Sequence, residues 1–332
     1  MKIFVTGGAG FIGSWIVEKL VEKKYKITIY DNFSTGTFEN IRHLEGKVKV
    51  IEGDILDYKF LERSMKGHDV VIHHAAQLEI TTAMSDPVED AKINIIGSLN
   101  VLKAMKNCSI SKGIFASSAC VYGNIDTYLV KENEKKEPNW EYGVSKLSVE
   151  QYCDVFCRYE GLNIANLRYS IVYGEREWYG RVLTIFLKRA LEGKELVIFG
   201  DGLSVRDYIH VEDVADINLM LVKNSWKGHL ILNVSSGKMI SIKDLAYYVK
   251  KVVKEIDGKE LDIIHEDIKE GKFSKYIEGR MRLPRELRIM SLDNTKAYKL
   301  LGWVPKVDLK EGIRREYKWI KDNPKRWQKL SY

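Results

Sequence analysis

A tyrosine and a lysine four residues apart are the side chains in this sequence best placed to do chemistry. Tyr142 and Lys146 lie in the segment 141–161, whose pattern predicts a helix, so both project from one face. A lysine ammonium beside a phenol favours the phenolate, and we expect it to lower the pKa of Tyr142 from about 10 toward neutrality. Such a phenolate can exchange a proton with a substrate hydroxyl. Ser118 stands 24 residues before Tyr142, just after a predicted strand, where its hydroxyl could bind the same substrate group.

Three glycines follow the first predicted strand. Gly7, Gly10 and Gly13 are spaced three apart in VTGGAGFIG, between an apolar run and a helical pattern. Gly7 permits a tight turn, Gly10 lets the backbone approach a pyrophosphate at the helix N-terminus, and Gly13 lets helix and strand pack closely. A sharp turn alone would also use glycines, but their position in the first β–α unit indicates a dinucleotide site.

Polar residues follow the second and third predicted strands. Asp31 and Asn32 come about 18 residues after Gly13, where a carboxylate accepts hydrogen bonds from adenosine ribose hydroxyls and repels a 2′-phosphate. The sequence therefore favours NAD over NADP, although a solvated loop could carry the same aspartate. Asp54 and Ile55 follow the third strand, where they could flank the adenine.

Short apolar runs alternate with helical patterns over the first 170 residues. The runs lie at 2–6, 26–30, 48–52, 69–73, 112–117 and 163–169, and the helical patterns include 13–23, 87–106 and 141–161. The runs are nearly continuous in hydrophobicity, as expected of strands buried on both faces. The alternation predicts an α/β fold with a doubly wound parallel sheet of the Rossmann type.

The pattern changes after residue 170. Helical segments at 181–192, 211–224, 241–256 and 293–302 are separated by polar turns, and 257–290 is charged and irregular. We predict a nucleotide-binding domain over 1–170, to which 207–235 returns. The remainder of 171–332 is predicted to form a smaller substrate lobe over the carboxyl ends of the strands.

The composition excludes several classes of protein. Of the 332 residues 45% are hydrophobic, as in globular proteins, and no apolar run reaches the length of a membrane helix. The net charge of +7 comes from interleaved lysines and glutamates, so we expect a phosphate-bearing small ligand and neither a nucleic-acid nor a membrane partner. Four cysteines without a histidine pair at ligand spacing predict neither zinc nor disulfides. The N-terminus resembles no signal region, so we expect a cytoplasmic protein.

Nine motifs together resemble the NAD-dependent nucleotide-sugar epimerase/dehydratase family of extended short-chain dehydrogenases/reductases. They are TGGAGFIG, HHAAQ (73–77), NIIGSLNVL (94–102), SSACVYG (117–123), YGVSK (142–146), LRYSIVYG (167–174), FGDGLSVRDYIHVEDVA (199–215), NVSSGKMISI (233–242) and LDNTKAYKLLGWVP (292–305). The similarity extends from about residue 2 to about residue 313.

The resemblance implies a role for each matching residue. Ser118, Tyr142 and Lys146 would form the catalytic group. The NAD site would comprise Tyr142 and Lys146 with Gly7, Gly10, Phe11, Ile12, Gly13, Asp31, Asn32, Asp54, Ile55, His74, Ala75, Ala76, Gln77, Asn94, Tyr169 and Ser170. The nucleotide sugar would contact Ser118, Tyr142, Arg206 and Tyr208, with Arg282 or Arg285 nearby.

The resemblance also implies an activity and an assembly. It implies an isomerase that inverts carbon 4 in UDP-glucose and UDP-galactose through a transient 4-keto sugar. Tyr142 would take the proton of the 4-hydroxyl, while tightly held NAD accepts the hydride and returns it to the other face. Relatives dimerise through helices that correspond to 87–106 and 141–160, so a homodimer is expected.

Three positions depart from the family pattern and leave alternatives open. Ile171 replaces an asparagine that meets the sugar diphosphate in relatives. Ala119 and Cys120 replace the Asp-Glu pair of 4,6-dehydratases, which disfavours dehydration. Cys120 also matches the acid/base cysteine of GDP-mannose 3,5-epimerase, so that reaction is an alternative, with a buried inert thiol as the simpler interpretation. A non-catalytic NAD-binding sensor is a further alternative, against which the intact catalytic group argues.

Overall fold

The computed structural model describes residues 1–125, 127–177 and 180–327. The strands are β1 (Lys2–Thr6), β2 (Lys26–Asp31), β3 (Lys49–Glu52), β4 (Val70–His73), β5 (Lys112–Ser118), β6 (Asn163–Tyr169), β7 (Ile171–Tyr173), β8 (Leu196–Phe199), β9 (Val205–Arg206), β10 (Tyr208–His210), β11 (His229–Val234), β12 (Ile240–Ser241), β13 (Ile263–Glu266) and β14 (Ile289–Met290). The helices are α1 (Phe11–Glu22), α2 (Tyr58–Met65), α3 (Ile80–Ser85), α4 (Pro87–Ala91), α5 (Gly97–Asn107), α6 (Glu141–Glu160), α7 (Val182–Leu191), α8 (Val211–Lys223), α9 (Ile242–Asp257), α10 (Thr295–Leu301), α11 (Leu309–Asp322) and α12 (Pro324–Trp327).

The central sheet has the predicted doubly wound topology. Within the described part of the chain it contains seven parallel strands in the order β11-β6-β5-β4-β1-β2-β3. The strand order reverses between β1 and β4, and ligands bind at such a switch point, outside the carboxyl ends of the strands. All six predicted strands are present, with ends within one residue of their predicted positions.

Both faces of the sheet are covered by helices, which explains the continuous apolar runs. Ile3 and Val5 of β1 belong to a core cluster that includes buried residues of α1 and α8. Phe4, which points to the opposite face, belongs to a second cluster with residues of α5 and α6. Every position of β1 after Lys2 is therefore buried.

A second group of elements is built from short strands and from α7, α9 and α11. β7 pairs with β10, β8 with β13, and β9 with both β12 and β14. Helices α7, α9 and α11 share a core cluster of their own. In contrast, β11 pairs with β6 in the central sheet, and α8 packs against α1. The domain boundary at residue 170 and the return of 207–235 stay predictions.

Three segments differ from the sequence-based expectation. The helix predicted over 87–106 consists of α4, a π-helical segment Lys92–Ile96 and α5, and such wide turns are frequent at functional sites. The segment predicted to be irregular, 257–290, contains β13 and β14, which are too short to show a clear alternation of apolar and polar residues. The prediction also omitted α11, although Ile313, Tyr317 and Ile320 recur at helical spacing. None of the described helices is long and apolar enough to span a membrane.

Candidate active site

A cleft of about 610 Å³ follows the carboxyl ends of β1 to β6. Its lining includes every residue predicted for the NAD site except Asn94. These are Gly7, Gly10, Phe11, Ile12, Gly13, Asp31, Asn32, Asp54, Ile55, His74, Ala75, Ala76, Gln77, Tyr142, Lys146, Tyr169 and Ser170. The fold therefore gathers residues separated by as many as 163 positions in the sequence into one cleft.

The glycine loop of this cleft fits a pyrophosphate. Gly7 has a φ of +70°, and a Cβ there would lie 2.6 Å from the backbone nitrogen of Ala75. A Cβ on Gly13 would lie 2.1 Å from the carbonyl oxygen of Gly7, so only glycine permits this packing. α1 begins directly after Gly10, has no side-chain cap and carries no acidic residue in its first turn. Its free N–H groups are thus available to an anion.

The end of β2 fits an adenosine ribose. Asp31 is buried, and its carboxylate accepts hydrogen bonds of 2.9 Å from the backbone nitrogens of Ala9 and Phe33. Burial raises the pKa of Asp31 from its ordinary value, and these two hydrogen bonds oppose the rise. Asn32 donates its side-chain amide to the carboxylate of Asp54 at 2.9 Å. The carboxylates are held at the adenosine end of the cleft, as the choice of NAD over NADP requires.

Asn94 is placed differently from the prediction. Its buried side chain does not line the cleft but lies in the π-helical segment and faces the loop after β4. The amide accepts a hydrogen bond from the backbone nitrogen of Gln77 at 3.0 Å and donates to the carbonyl oxygen of Gln77 at 2.9 Å. Asn94 therefore fixes the position of a cleft residue and has no direct access to the cleft.

A second cavity, of about 260 Å³, lies beside the cleft. All the residues predicted to contact the substrate line it, namely Ser118, Tyr142, Arg206, Tyr208 and Arg282. Ser118 and Tyr142 line the first cleft as well. A ligand group that binds at these two residues therefore faces both cavities.

The second cavity is rich in arginine. Arg206 lies 3.3 Å and Arg282 lies 3.4 Å from the carboxylate of Glu286, which bridges the two guanidinium groups. Guanidinium groups match the geometry of phosphate oxygens. Of the two predicted candidates, only Arg282 lines the cavity, whereas Arg285 pairs with Glu141 at 3.1 Å.

Two further arginines line the second cavity that were not predicted from the sequence to bind a ligand. Arg181 lines both cavities, and Arg280 lines the second one. Arg181 precedes α7, and Arg280 lies in a segment without regular structure. Neither belongs to a motif that singles it out, so only their spatial position marks them.

The predicted catalytic group lies at the boundary between the two cavities. The ammonium nitrogen of Lys146 lies 5.7 Å from the ring centroid of Tyr142 and donates a hydrogen bond to the carbonyl oxygen of Ala116 at 3.3 Å. The hydroxyl of Ser118 accepts a hydrogen bond from the backbone nitrogen of Cys120 at 3.1 Å and also interacts with the phenol of Tyr142. Ser118, Tyr142 and Lys146, which the sequence predicts to act together, therefore lie close to one another.

The pKa of Tyr142 differs from the expectation. Desolvation raises it above its ordinary value, with smaller contributions from Cys120 and Asp90, while Arg181 and Ser118 act in the opposite direction. Burial also lowers the pKa of Lys146, to about 8, and Asp90 opposes that shift. The prediction that the pKa of Tyr142 falls toward neutrality considered the helical neighbour alone and neglected burial.

A sequence model of the NAD dependent epimerase/dehydratase family matches residues 3–235. The chain belongs to this family.

Relatives within the family match nearly the whole chain. A putative UDP-glucose 4-epimerase of Methanocaldococcus jannaschii is 39% identical, over 97% of this chain and 99% of the relative. The crystal structure of a Thermotoga maritima UDP-glucose 4-epimerase with UDP-glucose has a TM-score of 0.86 at 36% identity, and covers 98% of this chain and 100% of its own. The crystal structure of a UDP-glucuronic acid 4-epimerase of Bacillus cereus, in complex with UDP-glucuronic acid and NAD, has a TM-score of 0.85 at 30% identity. The match covers 97% of this chain and 99% of the chain in that structure.

Two of the positions at which the chain departs from the family pattern, Ile171 and Cys120, border the second cavity. Ile171 lines this cavity, so its wall is apolar where the family pattern has an asparagine. Cys120 also lines it and packs with Trp140 and Leu287. Burial raises the pKa of the Cys120 thiol, which keeps it protonated at neutral pH. Within the described residues, no three His, Cys, Asp or Glu side chains are grouped to hold a metal ion.

Proposed function

We propose that this chain is an isomerase that interconverts UDP-glucose and UDP-galactose by inverting carbon 4 of the sugar, with NAD as cofactor. The observation that carries the proposal is the position of Ser118 and Tyr142, which line both the cofactor cleft and the arginine-rich cavity. The family and the UDP-sugar relatives support this assignment.

The residues of the second cavity bind and orient the nucleotide sugar. Arg206 and Arg282 offer guanidinium groups to the diphosphate, and the phosphates compete with the carboxylate of Glu286 for them. The hexose then reaches the boundary between the two cavities. Ser118 binds the 4-hydroxyl through its own hydroxyl and directs it to Tyr142.

Tyr142 holds and moves the proton. Its phenolate oxygen takes the proton of the 4-hydroxyl and returns it to the oxygen of carbon 4 at the end of the reaction. NAD, when bound, supplies the hydride acceptor and donor at carbon 4, together with a positive charge close to the phenol. Lys146 lines the cofactor cleft with its ammonium 5.7 Å from the ring centroid of Tyr142, and positive charge near a phenol favours the phenolate against the effect of burial.

A 3,5-epimerisation that uses Cys120 is the second candidate. Cys120 lines the sugar cavity and lies close enough to Tyr142 to affect its pKa, which favours this candidate. Against it, the raised pKa of the thiol leaves little thiolate to act as a base. We therefore treat Cys120 as a packing residue of the cavity wall.

Conversion of a panel of nucleotide sugars tests the proposed function. We expect UDP-glucose to yield UDP-galactose and the reverse, with absorbance of reduced nicotinamide appearing only transiently. The panel also contains UDP-N-acetylglucosamine, UDP-glucuronic acid and GDP-mannose, and the products are separated by chromatography. Products inverted at carbons 3 and 5 would favour the second candidate. Bound NAD without conversion of any sugar would contradict an enzymatic function.

We also propose a homodimer built from α6 and the segment around α5. Helix α6 exposes four large hydrophobic residues at spacings of three, four or eight, and these residues therefore share one face. They are Val144, Tyr152, Val155 and Tyr159. Ile96, in the neighbouring π-helical segment, is exposed as well. An exposed apolar stripe of this kind is typical of a protein interface, and a second copy presents the same stripe.

Light scattering measures the proposed assembly. We expect a mass of twice the 38.3 kDa of the chain. Val155→Glu places a charge in the stripe and should give monomers, whereas Phe273→Glu, at an exposed position outside α6, should leave the dimer intact. A monomeric wild-type protein would contradict the proposal. A cytoplasmic location is proposed as well, since all four cysteines are free.

A further inference from the structure

A buried carboxylate behind the catalytic helix accepts three side-chain hydrogen bonds. Asp90 of α4 is only 1% exposed. One oxygen accepts the hydroxyl of Ser145 at 2.6 Å, and the other accepts the side-chain amides of Asn94 at 2.8 Å and Gln77 at 2.9 Å. The three donors lie on the catalytic helix α6, on the π-helical segment and on the loop after β4. One carboxylate therefore connects three elements of the site.

Burying a carboxylate is costly unless hydrogen bonds and nearby charges compensate it. Here three donors satisfy the carboxylate, and the buried ammonium of Lys146, one residue after Ser145, interacts with it electrostatically. An apolar residue at this position would avoid the cost but would leave one N–H group of Asn94 and one of Gln77 without an acceptor. The carboxylate is therefore the shared acceptor of three elements that line or border the cleft.

Among the charged and titratable groups near Lys146, Asp90 is the anion that stabilises its ammonium charge. His73 and His74, at the end of β4, both have pKa values lowered by burial and are uncharged at neutral pH. Tyr142, on the same helix, has a raised pKa and is neutral in the absence of further charge. Asp90 is the one group among these that opposes the loss of the proton from Lys146.

The next acidic residue along α6 is occupied elsewhere. Glu150 lies one turn after Lys146, but its carboxylate forms a bidentate pair with Arg168 at 2.6 and 2.9 Å. A carboxylate paired in this way exerts little net field on a third group. The charge of Lys146 therefore depends chiefly on Asp90.

We propose that Asp90 is a positioning residue of the active site, which holds α6 against the loop after β4 (the cofactor loop, which includes Gln77) and keeps the ammonium of Lys146 charged. The part that concerns Lys146 rests on the proposed function, because it requires Tyr142 and Lys146 to do the chemistry. The part that concerns the cofactor loop requires only that the cleft binds NAD. Two variants of Asp90 separate these parts.

Asp90→Asn removes the charge but keeps the hydrogen bonds. The amide oxygen of the new side chain still accepts from Asn94 and Gln77, and its NH₂ group donates to the Ser145 hydroxyl, which can also accept. We expect NAD affinity within about threefold of the wild type. We expect the alkaline limb of the pH profile of kcat to move about one unit lower, so that kcat falls about tenfold at pH 8 relative to pH 6.

Asp90→Ala removes the acceptor as well. The amides of Asn94 and Gln77 then each lose one acceptor, and α6 loses the bond from Ser145. The bonds between Asn94 and the backbone of Gln77 remain, so the loop after β4 is held less firmly, and NAD affinity should fall at least about tenfold. Glu311→Gln, which removes one exposed negative charge on α11, is the charge-matched control and should leave the pH profile and NAD affinity unchanged. Circular dichroism verifies that each variant is folded, and titration with NAD gives the affinities.

The outcomes distinguish this proposal from the proposed function. An unchanged alkaline limb in Asp90→Asn would overturn the role in the charge of Lys146, and wild-type NAD affinity in a folded Asp90→Ala would overturn the role in the cofactor loop. Absence of turnover with every nucleotide sugar in the wild type would contradict the proposed function instead. In that case the comparison of NAD affinities still decides the positioning role.

Discussion

Tyr142→Phe is expected to abolish turnover and to leave NAD bound. Phenylalanine keeps the ring that packs beside Cys120 and Trp140 and removes only the hydroxyl. Loss of a general acid/base in proton transfer costs about 10²- to 10⁴-fold in rate. We expect kcat to fall by at least about 10³-fold, while the absorbance of bound cofactor and the melting temperature stay close to those of the wild type. Chromatography of the UDP-sugars measures the rate.

Cys120→Ala is the matched control, because Cys120 lines the same cavity and packs in the same cluster as Tyr142. Under the proposed 4-epimerisation its kcat should remain within about threefold of the wild type, since the thiol only packs. A large loss in Cys120→Ala would favour 3,5-epimerisation. Near-normal turnover in Tyr142→Phe would remove the phenol from the mechanism altogether.

The features that sequence reasoning captured are local in the chain. The spacing of the glycines is visible within residues 7–13, and the helical spacing of Tyr142 and Lys146 places both on one face. The strands were predictable because burial on both faces demands uninterrupted apolar runs. Such patterns can be recognised in the sequence without knowledge of the tertiary structure.

The features that escaped depend on contacts between distant residues. Asp90 and Ser145 are 55 positions apart, and no local pattern predicts that their side chains meet. Asn94 lies in the π-helical segment, and its side chain forms hydrogen bonds with Gln77, 17 positions away. The direction of the pKa shift of Tyr142 was predicted incorrectly for the same reason, because desolvation depends on how distant segments enclose the phenol.

A buried ion pair beneath the site is another such contact. Arg168 of β6 is 1% exposed and Glu150 of α6 is 2% exposed, and they form the bidentate pair described above. Glu150 also accepts a hydrogen bond from Ser117 at 2.6 Å, next to Ser118 in the chain. Arg168 further donates to the hydroxyl of Tyr122 at 2.8 Å. The pair connects α6 to β6, and the bond from Ser117 connects Glu150 to β5, the strand that carries Ser118.

Glu150→Ala should therefore be strongly destabilising. It leaves the guanidinium of Arg168 buried without its counter-charge, and breaking a buried pair in this way costs about 3–5 kcal/mol. We expect the melting temperature to fall by about 5–10 °C, as measured by thermal denaturation followed by circular dichroism. An unchanged melting temperature would show that water or another acceptor compensates the arginine.

The double variant Glu150→Leu/Arg168→Met distinguishes the effect of a buried unpaired charge on stability from the effect of the pair on the position of Ser118. Replacing both partners by apolar residues of similar size removes the uncompensated charge, so its melting temperature should lie well above that of Glu150→Ala. The hydroxyl of Ser117 still loses its acceptor, because leucine offers none. If the pair also holds the end of β5 at Ser118, the double variant should have a lower kcat than the wild type, although its melting temperature approaches that of the wild type. A double variant that regains both would assign the ion pair to stability alone.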